Sequence, residues 1–371
     1  MAQTAASARL STAPAPVVRA IGLMSGTSLD GVDAALIDTD GEAVTATGAA
    51  LTHPYPPAFR ERLRSVLGGV GDVAGVAREL TERHADAVRD LLGRAGLAPR
   101  DVAVVGFHGQ TILHRPADRR TWQIGDGAFL ARATGIDVVA DFRSADVAAG
   151  GEGAPLAPAL HAALAAELER PLAILNIGGV ANVTWIGPDG HLIAFDTGPG
   201  NALVDDWVLR RTGRPYDADG ALAHAGRVDA AVLARLLAHP YFARPAPKSL
   251  DRDDFQGDTW RHLETADGAA TLAAFTIGSI VRALDHCPAA PRRWLVGGGG
   301  RHNGALLAGL RAALGVPVDP VEAVGWDGDA LEAQAFAFLA VRSMRGLPLS
   351  FPGTTGVPRP MSGGVHHSAG G

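Results

Sequence analysis

The stretch that decides the fold is residues 18–38, VRAIGLMSGTSLDGVDAALID. Val18–Met24 is apolar enough to form a buried strand, and Val32–Asp38 has the composition of a second one. Between them, Ser25–Gly31 consists mostly of glycine, hydroxyl and aspartate residues, which is the composition of a turn. The stretch is therefore predicted to be a β-hairpin with a polar, glycine-containing turn.

The same order of elements is predicted twice along the chain. After the hairpin come a third strand at Glu42–His53, helices, and a strand at Val102–Phe107 that runs into a polar turn. The order begins again at Pro171–Ile177, and the strand Arg293–Val296 of this second half runs into four glycines. Such a repeat indicates a structural duplication, although the halves share little direct sequence similarity. The chain is therefore predicted to be an α/β protein with two βββαβ cores.

The repeat also suggests where the domains divide. We predict a first domain over 18–135 and a second over 136–329, with a closing helix at 330–349 that packs back on the first domain. The Ala/Ser/Pro-rich residues 1–17 are predicted to be disordered, and the Gly/Ser/Pro-rich residues 352–371 to form a loose tail.

Composition excludes several classes of enzyme. The chain has 371 residues, 33 of them basic and 39 acidic. The single lysine, Lys248, has no glycine run before it, which excludes a P-loop, and no early strand carries the lysine that protein kinases use. The single cysteine, Cys287, excludes a disulfide within the chain and a cysteine-rich zinc site. Any phosphate chemistry must therefore rest on backbone amides, arginine and metal ions.

Composition also bears on partners and location. A net charge of −6 argues against a nucleic-acid partner. No uninterrupted apolar run reaches the roughly 18 residues of a membrane span, and the first residues lack the apolar region of a signal peptide. One free cysteine fits a reducing compartment. We therefore expect a cytoplasmic protein that binds neither nucleic acid nor membrane.

The first candidate site is the hairpin turn, formed by Gly26, Thr27, Ser28, Leu29, Asp30, Gly31, Val32 and Asp33. Glycines and hydroxyl residues in such a turn can direct successive backbone amides at an anion. The carboxylates of Asp30 and Asp33 would repel a phosphate unless Mg²⁺ lay between, held by carboxylate and water oxygens. The alternative is an ordinary hairpin with an Asp-Gly turn.

The second candidate site is the run Asp196-Thr197-Gly198-Pro199-Gly200-Asn201, which precedes a predicted helix. Free amides at a helix N-terminus can bind a phosphate. Asp196 ends a predicted buried strand, where a carboxylate is fixed and poorly solvated, as a general base requires. The alternative takes Asp196 as a turn residue and Asn201 as a helix N-cap.

Two further glycine turns follow predicted strands. Gly297–Gly300 would leave a flat backbone surface on which a purine can lie, and Gly178-Gly179 is a turn of the same kind. The alternative for each is a tight turn, for which one glycine is enough. Polar residues at other predicted strand and helix ends include Arg143, which has the geometry to bind a carboxylate with two hydrogen bonds. Such residues are also common in purely structural loops.

Together these motifs resemble those of the anhydro-N-acetylmuramic acid kinases, members of the superfamily of sugar kinases, heat-shock chaperones and actin. The resemblance covers residues 19–349, in order, and rests mainly on two long and specific motifs. The matching stretches are Gly22–Asp33, His108–Thr111, Gln123–Gly127, Val139–Arg143, Gly153–Leu156, Asn176–Asn182, Phe195–Asn201 and Gly297–Gly299.

The resemblance implies a fold and a set of nucleotide contacts. The fold would be two actin-like (ribonuclease H-like) domains with ATP in the cleft between them. Gly26–Asp33 would be the phosphate loop, and Asp30 and Asp33 would hold Mg²⁺ through water. The other nucleotide-binding residues would be Gly178, Gly179, Gly198, Gly200, Gly297, Gly298 and Gly299.

The resemblance also implies a reaction. ATP and water would convert 1,6-anhydro-N-acetylmuramate into N-acetylmuramate 6-phosphate, a step in recycling of cell-wall sugars, with Asp196 as the catalytic base. The expected sugar contacts are Gln110, Asp126, Arg143 and Glu332, and a homodimer is the expected assembly. One departure is Glu152, which stands where the family often has Gln.

Two other functions are consistent with a fold of this kind. An ordinary sugar kinase would use Asp196 to deprotonate a sugar hydroxyl directly, without consuming water. A chaperone-like ATPase would need a partner-binding domain, and no segment of the chain is left for one.

Overall fold

The computed structural model describes residues 15–26, 28–250, 252–255 and 257–370. Two mixed β-sheets and the helices that cover them make up this part of the chain. The strands are β1 (Val18–Ser25), β2 (Gly31–Thr39), β3 (Val44–Pro54), β4 (Val104–Arg115), β5 (Arg120–Ile124), β6 (Val138–Ala140), β7 (Leu172–Ile177), β8 (Val180–Ile186), β9 (Leu192–Pro199), β10 (Arg293–Gly297), β11 (Val318–Pro320) and β12 (Val365–His367).

The α-helices are distributed over both halves of the chain. In order they are α1 (Pro57–Ser65), α2 (Val73–Ala95), α3 (Gly127–Thr134), α4 (Ser144–Ala148), α5 (Pro158–Leu164), α6 (Ala202–Thr212), α7 (Ala221–Ala225), α8 (Ala230–Leu237), α9 (Thr265–Val281), α10 (Gly304–Leu314), α11 (Leu331–Met344) and α12 (Pro352–Thr355).

The two sheets share a five-stranded topology, to which the first sheet adds β12 and β5. The first has the order β12-β6-β4-β1-β2-β3, with β5 paired to β4, and the second has the order β11-β10-β7-β8-β9. In each, three consecutive strands form an antiparallel meander, and the first of them is flanked by a parallel strand from later in the chain. The predicted α/β fold and its duplication are confirmed.

Helix α11 lies between the sheets. Its apolar side chains share one core with β1, β4 and β6 of the first sheet and with β7, β8 and β10 of the second. The opposite face of the first sheet packs against α1–α3, and that of the second against α9 and α10. Both sheets are therefore buried on both faces near their parallel strands, which explains the nearly continuous apolar runs there.

Two glycines allow α11 to approach the first sheet closely. Gly22 of β1 and Gly106 of β4 are paired in register on neighbouring strands. A Cβ atom at Gly22 would overlap the carbonyl oxygen of Ala333, and one at Gly106 would overlap that of Phe336. The helix backbone therefore rests directly on the two strands, and the contact sets the position of every residue on α11.

The structure differs from the predicted domain division in two places. Strand β6 lies beside β4 in the first sheet, although the predicted boundary at residue 135 assigned it to the second domain. Residues 352–370 form α12 and β12 rather than a loose tail, and β12 pairs with β6. The pairing of β12 with β6 joins residues more than 200 positions apart, so local composition does not reveal it. Of the predicted disordered residues 1–17, positions 1–14 lie outside the described residues.

A described stretch, Thr265–His286, has the length and apolar composition of a membrane-spanning helix, which the sequence analysis did not predict. Of its most apolar window, 61% is buried inside the protein. A mostly buried helix in the core of a folded protein has the same length and apolar composition.

The close approach of α11 yields a first prediction. Gly106→Ala should lower the free energy of unfolding by about 3 kcal/mol, because the new methyl group can be accommodated only if α11 moves off the sheet. The control is Gly93→Ala in α2, where a Cβ atom has no neighbour within 4 Å. That change should raise stability by about 0.5 kcal/mol, because alanine favours the helix. Urea denaturation measures both, and a neutral Gly106→Ala would contradict the described packing.

Candidate active site

The candidate site lies where the parallel strands of both sheets end. In the first sheet, β1 ends at Ser25 and is followed by the first predicted motif. In the second, β7 ends at Ile177 and β10 at Gly297, and each runs into a glycine turn. Ligands of α/β proteins bind at the carboxyl ends of parallel strands, so these turns are the expected positions for binding residues.

The first loop is a tight turn between β1 and β2. The amide of Leu29 donates a hydrogen bond to the carbonyl oxygen of Gly26 at 3.2 Å, and Ser28 Oγ donates to Asp30 Oδ1 at 2.7 Å. Leu29 has a φ of 55°, which is unusual for a residue other than glycine, and its side chain is buried in the core. The core therefore holds the loop in its shape. Thr27, predicted to bind nucleotide, lies outside the described residues.

Asp33 lies just beyond this loop and is half-buried. Thr52 Oγ1 donates to Asp33 Oδ1 at 2.6 Å. Burial raises the pKa of Asp33 to about 6, and the charges of Asp30 and Asp329 add to the rise. No basic side chain among the described residues forms an ion pair with Asp33. The carboxylate is thus placed where a cation would be favourable.

The glycine turns of the second sheet lie together. The amides of Gly200 and Asn201 donate to the carbonyl oxygens of Gly179 and Gly178, at 2.9 and 2.8 Å. On the neighbouring strand, Gly297 is in register with Asn176, which directly precedes Ile177 and this turn.

The remaining glycines of these motifs differ in what they face. A Cβ atom at Gly299 would lie 3.8 Å from the side-chain amide of Asn201. Gly298 has a φ of 70° and packs against Asn176 and Ile177. Gly198 faces Ser279 of α9, so its lack of a side chain serves helix packing.

Glu332, at the start of α11, connects the two halves of the site. Asn176 Nδ2 donates to Glu332 Oε1 at 3.1 Å. The side chain is open to solvent, but the surrounding protein raises its pKa, and the charge of Asp33 adds to the rise. The positive charge of Arg143 acts to lower the pKa of Glu332. Glu332 therefore interacts with the first loop, the second sheet and Arg143.

Asp196 lies on β9 and is held by three hydrogen bonds. The amide of Leu250 donates to Asp196 Oδ2 at 2.8 Å, and the amide of Asp196 donates to the carbonyl oxygen of Lys248 at 3.0 Å. The hydroxyl of Tyr241 donates to the carbonyl oxygen of Asp196. Burial raises the pKa of Asp196 to about 7, and the charge of Glu152 adds to the rise. A carboxylate with a pKa near neutrality suits a general base.

Arg143 is held by neutral acceptors. Its Nε and Nη2 donate to His108 Nε2 at 3.1 and 3.0 Å, and its Nη1 donates to the carbonyl oxygen of Gly153 at 2.6 Å. Burial lowers the pKa of Arg143 to about 10, so the guanidinium stays charged at neutral pH. Burial and Arg143 together lower the pKa of His108 well below its usual range, so the imidazole is neutral. Among the described residues Arg143 has no carboxylate partner in an ion pair, and its charge acts on both Asp196 and Glu332.

The other two predicted sugar contacts, Gln110 and Asp126, are held by hydrogen bonds of their own. Gln110 is buried in β4, and its Oε1 accepts a hydrogen bond from Ser25 Oγ at 2.7 Å, next to the first loop. Asp126 is the N-cap of α3 and accepts from the amide of Phe129 at 2.8 Å. It lines a cavity of about 500 Å³ together with Asp141 and with His108, which binds Arg143.

Lys248 points away from the site. It is 3% exposed, and its Nζ lies 3.4 Å from the carbonyl oxygens of Tyr241 and Phe242 and 3.2 Å from His286 Nε2. Burial lowers its pKa to about 8. Only its backbone carbonyl reaches Asp196, so its contribution to the site is structural.

Sequence reasoning missed Tyr241 and the amide of Leu250, because neither lies in a recognisable motif. It also did not predict that Glu152 lies beside Asp196, although it had singled Glu152 out. Among the described residues, no group of three or more His, Cys, Asp or Glu side chains is arranged to hold a metal ion. Asp30 and Asp33 are a pair, and a metal there would need further ligands from water or substrate.

Comparisons with known proteins agree with these motifs. Residues 18–369 match the family described as anhydro-N-acetylmuramic acid kinase. The chain is 62% identical over 358 residues to the anhydro-N-acetylmuramic acid kinase of Rhodospirillum rubrum, covering 95% of each chain. It is 59% identical over 351 residues to that of Paramagnetospirillum magneticum, covering 94% of this chain and 99% of the relative. Among solved structures, it is 12% identical to component A of the (R)-2-hydroxyglutaryl-CoA dehydratase of Acidaminococcus fermentans, covering 88% of this chain and 99% of that one, with a TM-score of 0.48.

The glycine turns yield a second prediction. Gly298→Ala should lower the free energy of unfolding by about 3 kcal/mol, because φ is 70° and the new Cβ would overlap Asn176 Oδ1 and lie 2.7 Å from the carbonyl oxygen of Ile177. The control is Gly315→Ala, with a φ of 66° but no neighbour within 4 Å, which should cost about 1 kcal/mol. Urea denaturation compares them. Equal losses would contradict the close approach of β7 to this turn.

Proposed function

The chain belongs to the anhydro-N-acetylmuramic acid kinase family and is an enzyme with that activity, and from this premise we propose how its residues carry out the reaction. Asp196 takes a proton from water, and the oxygen of that water forms a bond to the anomeric carbon of the 1,6-anhydro sugar. The bond between the anomeric carbon and O6 breaks, and O6 forms a bond to the γ-phosphorus of ATP as ADP departs. The observation that carries this proposal is the position of Asp196, held by Leu250 with its pKa near 7.

The nucleotide is proposed to lie across the two sheets. The loop Gly26–Asp33 would face the phosphates with its amides, and the turns at Gly178-Gly179 and Gly297–Gly299 would face the rest of the nucleotide. The support is that β7 and β10 are neighbours and that Glu332 interacts with both Asn176 and Asp33. Free backbone amides and open glycine surfaces are suited to phosphate binding in the absence of a lysine.

Mg²⁺ is proposed to bind near Asp30 and Asp33. The donor set fits, because both are carboxylates, and Asp33 is half-buried with a raised pKa and lacks a basic partner among the described residues. When bound, the ion would supply positive charge to the transferring phosphoryl group. The charges that act on Asp33 are those of the acidic residues Asp30 and Asp329, so metal and nucleotide should bind together.

Arg143 is proposed to bind the carboxylate of the sugar. Its positive charge is not neutralised by an ion pair among the described residues, and it acts on Asp196, as the charge of Glu152 also does. Because His108 and Gly153 hold the guanidinium in place, little side-chain entropy is lost when an anion binds. Water-consuming chemistry therefore takes place beside a fixed positive charge.

Labelled water distinguishes this reaction from that of an ordinary sugar kinase. Incubation of the protein with ATP, Mg²⁺ and 1,6-anhydro-N-acetylmuramate in ¹⁸O water should give a phosphorylated sugar with one ¹⁸O at the anomeric carbon. Mass spectrometry measures the label. Unlabelled N-acetylmuramate 6-phosphate kept in the same water for the same time controls for spontaneous exchange. A phosphorylated sugar without label would contradict attack by water, and no phosphorylated sugar would refute the activity.

Removal of the base should abolish chemistry without abolishing nucleotide binding. Asp196→Asn should lower kcat by about 10²- to 10⁴-fold, the usual contribution of a general base. ATP binding measured by calorimetry should change less than twofold, and the melting temperature at pH 8 should not fall, because a charge disfavoured by burial is removed. The exposed Asp118→Asn is the matched control and should behave as the wild type.

The same assignment fixes the pH dependence. Asp196 must be deprotonated to act as a base, and its pKa is raised to about 7. In the wild type, log kcat/KM should therefore be level above pH 7 and fall with unit slope below it. Full activity of Asp196→Asn, or a wild-type profile that is level down to pH 5, would contradict Asp196 as the base.

A further inference from the structure

A second carboxylate is held beside Asp196. Ser249 Oγ donates a hydrogen bond to Glu152 Oε2, and the next residue, Leu250, donates its amide to Asp196 Oδ2 at 2.8 Å. Because consecutive residues bind the two side chains, the carboxylates lie near each other, and the charge of Glu152 acts on Asp196. No basic side chain among the described residues forms an ion pair with Glu152.

The backbone of Glu152 is also fixed. Its amide donates to the carbonyl oxygen of Thr355 at 2.6 Å, and its own carbonyl oxygen lies 2.9 Å from His114 Nε2. The amide of Gly153 donates to Asp146 Oδ1 at 2.7 Å, and this buried carboxylate also accepts from the hydroxyl groups of Ser350 and Thr355. The loop that carries Glu152 is therefore built into the protein on both sides, and its closeness to Asp196 is a fixed property of the fold.

We propose, on the basis of the proposed function, that Glu152 is a positioning residue whose negative charge, held by Ser249, makes Asp196 a stronger base. A charge beside a carboxylate of the same sign raises the free energy of the deprotonated form, so the neighbour binds a proton more tightly. A base that binds its proton more tightly takes it from water more readily in the transition state.

Several groups lie around Asp196, and they differ in whether they strengthen or weaken it as a base. Arg143 carries a positive charge and opposes Glu152. Tyr241 is a neutral phenol whose pKa burial raises far above neutrality, and it binds the backbone rather than the carboxylate of Asp196. The ammonium of Lys248 points away, toward Tyr241, Phe242 and His286. Among these groups, Glu152 is therefore the one whose negative charge offsets the effect of Arg143 on the basicity of Asp196.

Glu152→Gln tests the proposal, because it removes the charge and keeps the size and an acceptor for Ser249. Measured with the full chain, ATP, Mg²⁺ and 1,6-anhydro-N-acetylmuramate, the acid limb of kcat/KM should move about 0.5 to 1 pH unit lower. At pH 8 kcat should fall about twofold to threefold, because the base is weaker. The variant should therefore lose less activity than the wild type when the pH is lowered from 8 to 6.

Two control variants separate charge from structure. Ser249→Ala keeps both carboxylates but frees Glu152, and should move the limb in the same direction by a smaller amount. Glu152→Asp keeps the charge and should restore kcat at pH 8 toward the wild-type value. The exposed Glu167→Gln should change neither the limb nor kcat.

The outcomes are distinguishable from failure of the proposed function. An unmoved acid limb in a folded Glu152→Gln overturns this proposal, and so does a loss of activity that is equal at every pH. If Glu152→Gln does not fold, an unmoved limb in Ser249→Ala overturns it. Persistent activity in Asp196→Asn would instead refute Asp196 as the base, whatever Glu152 does.

Discussion

The contact of helix α11 with β1 and β4 is the constraint on which the rest of the structure depends. It requires two residues without side chains, Gly22 and Gly106, paired on neighbouring strands. Because the helix backbone rests on the strands, the first sheet, α11 and the second sheet share one apolar core. The same contact places Glu332 between Asp33 of one sheet and Asn176 of the other. The packing of α11 against β1 and β4 thus sets the positions of the two halves of the site relative to each other.

The charges of the site fall into two groups. Around the first loop, the charges of Asp30 and Asp33 disfavour the charged form of Glu332, and Asp30 also disfavours that of Asp33. Around β9, Glu152 and Arg143 act on Asp196 in opposite directions. The first group favours binding of a cation. The second group keeps the pKa of the Asp196 carboxyl near 7. In the proposed reaction, the first property would serve nucleotide binding and the second the activation of water.

Local sequence predicted the parts of the fold that depend on local chemistry. The hairpin at β1 and β2, the glycine turns and a strand that carries Asp196 were predicted from apolar runs and turn residues. The predicted end of that strand at Asp196 was wrong, because β9 continues to Pro199. Long-range pairings were not found, since β12 meets β6 and Glu152 meets Thr355 only in the folded chain. The direction of Lys248 could not be predicted either, because the sequence does not show whether a lysine side chain points into a site or away from it.

The late position of α11 in the chain has a consequence for synthesis on the ribosome. Strand β6 ends at Ala140 and α11 begins at Leu331, so 191 positions separate the first sheet from the helix that covers it. At about 5 to 20 residues per second, this delay is on the order of 10 to 40 s. During that time the glycine-lined face of β1 and β4 has no cover from α11. A nascent chain of this kind therefore presents an apolar surface to chaperones for much of its synthesis, and its first half cannot reach its final form before the second half is nearly made.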